Sequence, residues 1–333
     1  MTGRRIARVL LAAVLALLLI ATASVVVLRL TNPRAKPELG WLRAMNMPRR
    51  PRGEAAAAMA GTRLVVAGGL YGIGRTSADV DFYDLKQRQW IIGIPLPAPR
   101  HHAAAAALGD TVYVAGGASG ATNWTPRTDV WRSQPGGKWE RVEAMPDGRV
   151  GHAMVAFGSK LYVFGGVGRT DATLVYDPKS GWTTAAPLPA GRDHLRAAVW
   201  KNEIWVIGGR GSGLSRRVDI YDPARDRWRP GPRLPKPMSA MAVGVLSERL
   251  HVIGGENPAL IGGHVLPDHF QLKDGSTVWE RRAPPPLPVH GAAFGAYQDV
   301  IFVAGGSTRQ GALSVLSWTP MTQVYSTIPQ KRI

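Results

Sequence analysis

The chain has 333 residues, 45% of them apolar, with 39 glycines and 26 prolines scattered through apolar runs. That exceeds what a helical protein carries and lacks the low-complexity pattern of a disordered one, so an all-β fold rich in turns is expected. With no cysteine, a disulfide framework, a thiolate metal site and a cysteine nucleophile are excluded; the net charge of +18 favours contact with anionic matter.

The first element in chain order is VLLAAVLALLLIATASVVVL, Val9 to Leu28, which has no charged residue and is long enough as a helix to cross a bilayer. Arg4, Arg5 and Arg8 precede it, as in a signal anchor whose C-terminal side is translocated, so residues 1–30 are read as a membrane segment holding the rest in the periplasm or at the cell exterior. Ala21-Thr22-Ala23 offers a cleavage site, leaving a secreted form open, and Arg29, Arg34, Lys36 and Arg43 keep the charge difference across the span small. Residues 31–40, with two prolines, read as a linker.

From residue 41 onward the chain repeats. The runs LVVAGG, VYVAGG, LYVFGG, IWVIGG, LHVIGG and IFVAGG place first glycines at Gly68, Gly116, Gly165, Gly208, Gly254 and Gly305, a spacing that suits one four-stranded unit each. Trp90, Trp139, Trp182, Trp228 and Trp279 each stand 26 residues before the next first glycine, and Trp41 stands 27 before Gly68. Between glycine pair and tryptophan lies an aromatic strand such as DFYD at Asp81 to Asp84. The glycines themselves are no phosphate cradle: GGLYGIG at Gly68 to Gly74 is followed by neither GKS/GKT nor helical periodicity.

These markers resemble the kelch family, over Trp41 to about Tyr325, and the resemblance implies a six-bladed β-propeller filling residues 41–333. Paired glycines then end the second strand of each blade and the tryptophan packs between blades. The segment around Trp41 is expected to complete blade six by pairing with the chain's last strand, with completion by Tyr325 as the rival; Trp318 is expected on a third strand. A single closed ring is expected to act as a monomer.

In such a ring, the loop entering each inner strand and the loop after each glycine pair share one face, where binding residues are to be sought. Sixteen residues before the first glycine stand Arg52, Arg100, Arg149, Arg192, Met238 and Val289, a crowd of arginines that reads either as loop staples or as an anion site. His101, His102, His152, His194 and His290 join that zone. They lie on separate blades without acidic partners in short spacing, so no metal site and no cofactor are expected. Two positions past the first glycine, Arg210 and Glu256 replace small or apolar residues, and Glu256 is the candidate general base.

Gly255-Glu256 with Pro258 is similar to the Gly-Glu turn of the bacterial N-acetylneuraminate epimerases, although the following ALIGGH offers no arginine. That resemblance implies an acidic-sugar mutarotase in which Glu256 moves a proton and the arginines hold the carboxylate. Galactose oxidase chemistry, also found on kelch propellers, needs a cysteine and is excluded. The stronger reading is a binding module for a protein or an anionic glycan through the basic face, as kelch propellers often are. Nucleic acid is disfavoured, because the tryptophans are committed to the blades and an exported domain meets little of it. Asn123-Trp124-Thr125 forms a glycosylation sequon.

Overall fold

The structure is a computed structural model that describes residues 40–327 except 121–123, 168–170 and 259–263. The segment read as membrane-spanning, most of the linker, the asparagine of the sequon and most of ALIGGH lie outside the described residues. Among those residues, no helix is long and apolar enough to cross a membrane.

Six antiparallel sheets of four strands account for the repeats. Blade one runs outward through Ala56–Ala60, Arg63–Ala67, Val80–Asp84 and Gln89–Ile92. The inner strands Ala104–Leu108, Ala153–Phe157, Arg196–Trp200, Ala242–Leu246 and Ala293–Tyr297 open blades two to six, each touches the next, and the last touches Ala56–Ala60. The ring is therefore closed, and a closed ring shields strand edges from water and from other chains. Six apolar clusters form the core, each at the junction of two neighbouring blades.

The glycine pairs explain how the blades meet. At each pair the second glycine's N–H donates to a backbone carbonyl of the following blade: Gly69 to Arg100, Gly117 to Arg149, Gly166 to Arg192, Gly209 to Met238, Gly255 to Val289 and Gly306 to Arg52. That same carbonyl would lie 2.3 Å from a Cβ on Gly68 and 2.4 Å from one on Gly305, so no side chain fits there. All twelve glycines also have positive φ, where a Cβ is strained.

The tryptophans form a second ring of contacts. Each indole N–H donates to the carbonyl four residues beyond the preceding blade's tryptophan: Trp90 to Met45, Trp139 to Ile94, Trp182 to Glu143, Trp228 to Ala186, Trp279 to Pro232 and Trp41 to Ala283, at 2.8–3.1 Å. Trp41 is thus the sixth tryptophan. Its strand, Trp41–Ala44, pairs with Thr322–Ser326 in the register Trp41 opposite Tyr325, so the N-terminal strand completes blade six and Tyr325 lies on the third strand beside it. Trp318 departs from expectation: it precedes the third strand, bridges to Ser307 and donates its indole N–H to Gly72 in the loop of blade one.

The arginines sixteen residues before the glycines also need correction. The structure buries Arg52, Arg100, Arg149 and Arg192 at 0–4% exposure. Arg52 meets Asp81 at 2.7 Å, Arg100 meets Asp129 at 2.6 Å and Arg192 meets Asp219 at 2.8 Å, while Arg149 lies 3.8 Å from Asp147. Arg192 additionally donates to the carbonyls of Gly208, Val206 and Ala190. Burial at the blade junctions removes these guanidinium groups from a ligand's reach, so they are staples and not the anion site.

Closure of blade six rests on an aromatic box: Trp41, Tyr325, His251 and His269, with His269 4.5 Å from Tyr325 and 5.8 Å from Trp41 between ring centres. His269 Nδ1 lies 3.0 Å from the Ala283 carbonyl and must donate to it; its Nε2 then accepts from His251 Nδ1 at 2.9 Å, so both rings are neutral. Burial, reinforced by His269 and two arginines, holds the His251 pKa down at about 3, and burial holds His269 at about 4.

Three outcomes follow. Trp41→Ala lowers stability by about 3–5 kcal/mol, measured by chemical denaturation, because it removes a buried indole and its hydrogen bond together. Arg192→Ala costs about 2–4 kcal/mol, because Asp219 loses its buried partner and keeps only the more exposed Arg217 while the carbonyls of Gly208 and Val206 lose their donor, whereas Arg192→Met with Asp219→Leu recovers part of it. Because His251 and His269 are neutral when folded and gain protons near pH 6.5 when unfolded, their contribution is complete above that pH and is lost as pH falls towards 4. The loss approaches roughly 1.4 kcal/mol per pH unit for each histidine. Unfolding midpoints that stay constant from pH 7 to 5 would contradict this.

Candidate functional site

Fourteen residues before each first glycine, the chain enters its inner strand through Glu54, His102, Gly151, His194, Ala240 and Gly291. All six have left-handed backbone, with φ between 50° and 63°. Their backbones bond head to tail around the axis: His102 N–H to Glu54 O, Gly151 to His102, His194 to Gly151, Ala240 to His194, Gly291 to Ala240 and Glu54 to Gly291, at 2.7–2.9 Å. This hydrogen-bonded hexagon is the mouth of the channel. The residue before each of the six bridges to the residue two past its own blade's first glycine, as Asp193 does to Arg210, Ser239 to Glu256 and His290 to Ser307, which brings both loops to the mouth.

Side chains other than hydrogen or methyl occupy this left-handed ring in three blades, and they converge. Glu54 Oε2 is 3.4 Å from His102 Nε2, Glu54 Oε1 is 3.5 Å from His290 Nδ1, and His290 Nδ1 is 3.5 Å from Glu256 Oε2. The ligand atoms of Glu54, His102 and His194 lie within 4.8 Å of one another. Two ring glycines make the space: a Cβ on Gly291 would collide with the Glu54 carboxylate, and one on Gly151 would come 3.0 Å from the His194 ring. Trp124 lies over His102, 4.3 Å between ring centres, and partly stacks on His194.

Burial raises the Glu54 pKa, but His102, a hydrogen bond from His290, and the fields of His194 and His290 outweigh it and hold the carboxyl well below its ordinary range. Burial pushes His102 well down and His101 down. His290 goes the other way: burial lowers it, yet Glu54 and Glu256 raise it above its ordinary value. Asp193 is lowered, because the His194 and Arg210 contacts, at 2.5 and 3.2 Å, overcome its desolvation.

Below the mouth the inner strands enclose a cavity of about 420 Å³. Twelve residues before each first glycine stand Ala56, Ala104, Ala153, Arg196, Ala242 and Ala293, five alanines and one arginine, and of these Ala56, Ala104, Ala153 and Arg196 line the cavity. Arg196 bonds the carbonyls of Met241 and Leu195 and lies 5.6 Å from the centre of the Phe294 ring. Burial lowers its pKa against the opposing fields of Glu54 and Glu256.

Of the residues singled out from the sequence, His194, Arg210 and Glu256 are brought to the mouth, with Arg210 3.8 Å from Glu256. His152 is not: it is buried in the blade-two/blade-three junction beside Gly116, and among the described residues neither ring nitrogen has a hydrogen-bond partner. Glu54 and Arg196 escaped the sequence reading, although alignment at fourteen and twelve residues before the glycine exposes both as departures from their columns. The histidines lack acidic partners in short spacing in the sequence, but in space Glu54 of blade one and Glu256 of blade five reach into their midst.

Residues 135–306 match the KLHDC2/KLHL20/DRC7 Kelch-repeats domain and residues 51–93 the Kelch motif. Kelch-like protein terF of Aspergillus terreus is 27% identical over 309 residues, 83% of this chain and 64% of that protein. Mouse Kelch-like protein 35 is 30% identical over 206 residues, 58% of this chain and 34% of that protein. The chain thus spans from about a third to just under two thirds of these relatives' lengths. In structure it is similar to YjhT, with a TM-score of 0.71 and 17% identity over 84% of this chain and 96% of that one, a likeness of fold. With a family match over half its length, six glycine pairs and six tryptophans in their ring positions, the chain belongs to the kelch-repeat family.

Proposed function

We propose that this propeller is a binding module that receives an anionic group of a protein partner in its channel mouth. The observation that carries the reading is Arg196, a cation lining the cavity at a position of the repeat where the other five blades have alanine. Its second charge-bearing neighbour, Arg210, is 31% exposed at the rim. Around them the loop face carries exposed arginines at Arg50 and Arg127, which attract an acidic partner at a distance. The basic face of the sequence reading is thus kept, with Arg196 and Arg210 in place of the buried four. An acidic glycan offers the same carboxylate chemistry. The uncharged stretch 9–28 supports a further proposal, that the module is anchored in a membrane and works outside the cytoplasm.

A second reading has its own support. Glu256, buried between His290 and Arg210, has the surroundings of a proton-transfer group beside a carboxylate-binding cation, as a mutarotase of acidic sugars requires.

The test is calorimetric titration with acidic peptides and, separately, acidic sugars. Arg196→Ala, which restores the alanine of the other blades, is expected to weaken binding roughly ten- to a hundredfold while leaving the melting temperature near that of the parent. Undiminished binding in that variant would remove the module reading. Anomer exchange of an acidic sugar, followed by NMR and abolished in Glu256→Gln, would establish the second reading in its place.

A further inference from the structure

The direction of each hydrogen bond in the mouth can be worked out from its fixed end. His101 Nε2 lies 3.1 Å from the Gly120 carbonyl and must donate there, so its Nδ1 accepts from His102 Nδ1 at 2.7 Å. That leaves a lone pair on His102 Nε2, the atom facing Glu54. His194 Nδ1 donates to Asp193 Oδ1 at 2.5 Å, leaving the lone pair on its Nε2. His290 Nε2 donates to the Arg309 carbonyl at 2.8 Å, and its buried Nδ1 faces Glu54 and Glu256 at 3.5 Å from each.

Three histidines are thus each anchored by one ring N–H; the ligand atoms of His102 and His194 gather with Glu54 within 4.8 Å of one another, and the remaining nitrogen of His290 faces the other Glu54 oxygen. Acceptors gathered in this way repel one another unless a cation lies between them. Imidazoles held by an N–H bond to a carbonyl, a carboxylate or another ring are the arrangement in which histidine ligates metals. One separation already matches: donors bound at about 2.0–2.2 Å to a tetrahedral ion stand about 3.4 Å apart, the spacing of His102 Nε2 and Glu54 Oε2, and His194 lies within 4.8 Å of both. Nor does the fold itself ask for these residues. At the same left-handed position blades three and six use glycine.

We propose that Glu54, His102 and His194, joined by His290, bind one divalent transition-metal ion of the imidazole- and carboxylate-preferring kind, for which zinc is the probe. Glu256 stands at the edge of this site as a further oxygen donor. The metal site does not depend on the anion-binding reading, whose cation Arg196 contributes no ligand.

The experiment is titration of the full-length chain, stripped with chelator, with zinc in competition with a chromophoric chelator, together with the visible spectrum of the cobalt(II) form. One zinc per chain and the intense absorption of four- or five-coordinate cobalt are expected. His102→Gly and His194→Gly, which install the residue of blades three and six, should each weaken zinc binding at least about a hundredfold, and Asp193→Asn, acting through His194, about ten- to a hundredfold. Glu54→Gln, close in shape to the parent, serves where a glycine variant fails to fold. Arg225→Ala, at an exposed turn of blade four where the side chain pairs with Asp222, should leave zinc binding unchanged. Substoichiometric zinc, an octahedral aqua-like cobalt spectrum, or affinity undiminished in folded His102→Gly and Glu54→Gln would overturn the site and leave a proton on His290 as the occupant of the gap.

Discussion

The contact on which this structure depends is the approach of one blade's glycine pair to a backbone carbonyl of the next. A carbonyl 2.3 Å from where the Cβ of residue 68 would stand admits no side chain, and the adjoining N–H takes that carbonyl as its acceptor. Repeated six times, this joins neighbouring blades by backbone, so the junction geometry varies little with the side chains around it. The residue that supplies the carbonyl is the one sixteen before the following glycine pair, and so it is pinned in a blade junction. An arginine there extends into the junction and must find a carboxylate, which is why Arg52, Arg100 and Arg192 are paired with Asp81, Asp129 and Asp219.

Two residues further on, the same constraint forces the chain through left-handed backbone at the mouth. For an ordinary L-residue that conformation costs roughly 1–2 kcal/mol, and glycine escapes the cost. Glu54, His102, His194 and Ala240 accept it, and the three of these four strained residues that carry polar side chains meet in one cluster, which is better accounted for by what those side chains do together than by folding. Gly151 and Gly291 complete the argument from the opposite side, since each is bare where a neighbour's functional side chain needs the room.

The architecture was legible in the sequence because glycine pairs and tryptophans serve the junctions, and junctions recur in every blade. Even closure by Trp41 could be read, since its spacing to Gly68 nearly equals that of the other five tryptophans. The site was legible only in part, because function is where the repeats stop agreeing. Arg210 and Glu256 stood out as departures in one column; Glu54 and Arg196 are equally plain departures in columns where polar and small residues alternate without a familiar motif. Conversely, the four arginines looked functional because they recur, and recurrence in a propeller marks a structural duty. What no spacing could show was which carboxylates lie opposite them, since Asp81 and Asp219 belong to their blades' third strands and Asp129 immediately precedes one. Trp318 misled for a related reason: the short helix at Gly311–Leu316 lengthens the loop of blade six and lifts the indole out of the sheet onto the face.

The site is also tied to the seam of the ring. Glu54 belongs to blade one and His290 to blade six, so their contact exists only when blade six, finished by the Trp41 strand, has docked on blade one. Closing that seam costs the entropy of joining distant parts of the chain, offset by strand pairing, the aromatic box and the Arg52 carbonyl bond to Gly306. Any cation shared between Glu54 and His290 adds a further bond across the same seam and binds the closed ring alone, so by linkage it stabilises closure in proportion to its occupancy. Recognition at the mouth and integrity of the ring are then one equilibrium, set by residues that lie far apart in sequence and within 3.5 Å in space.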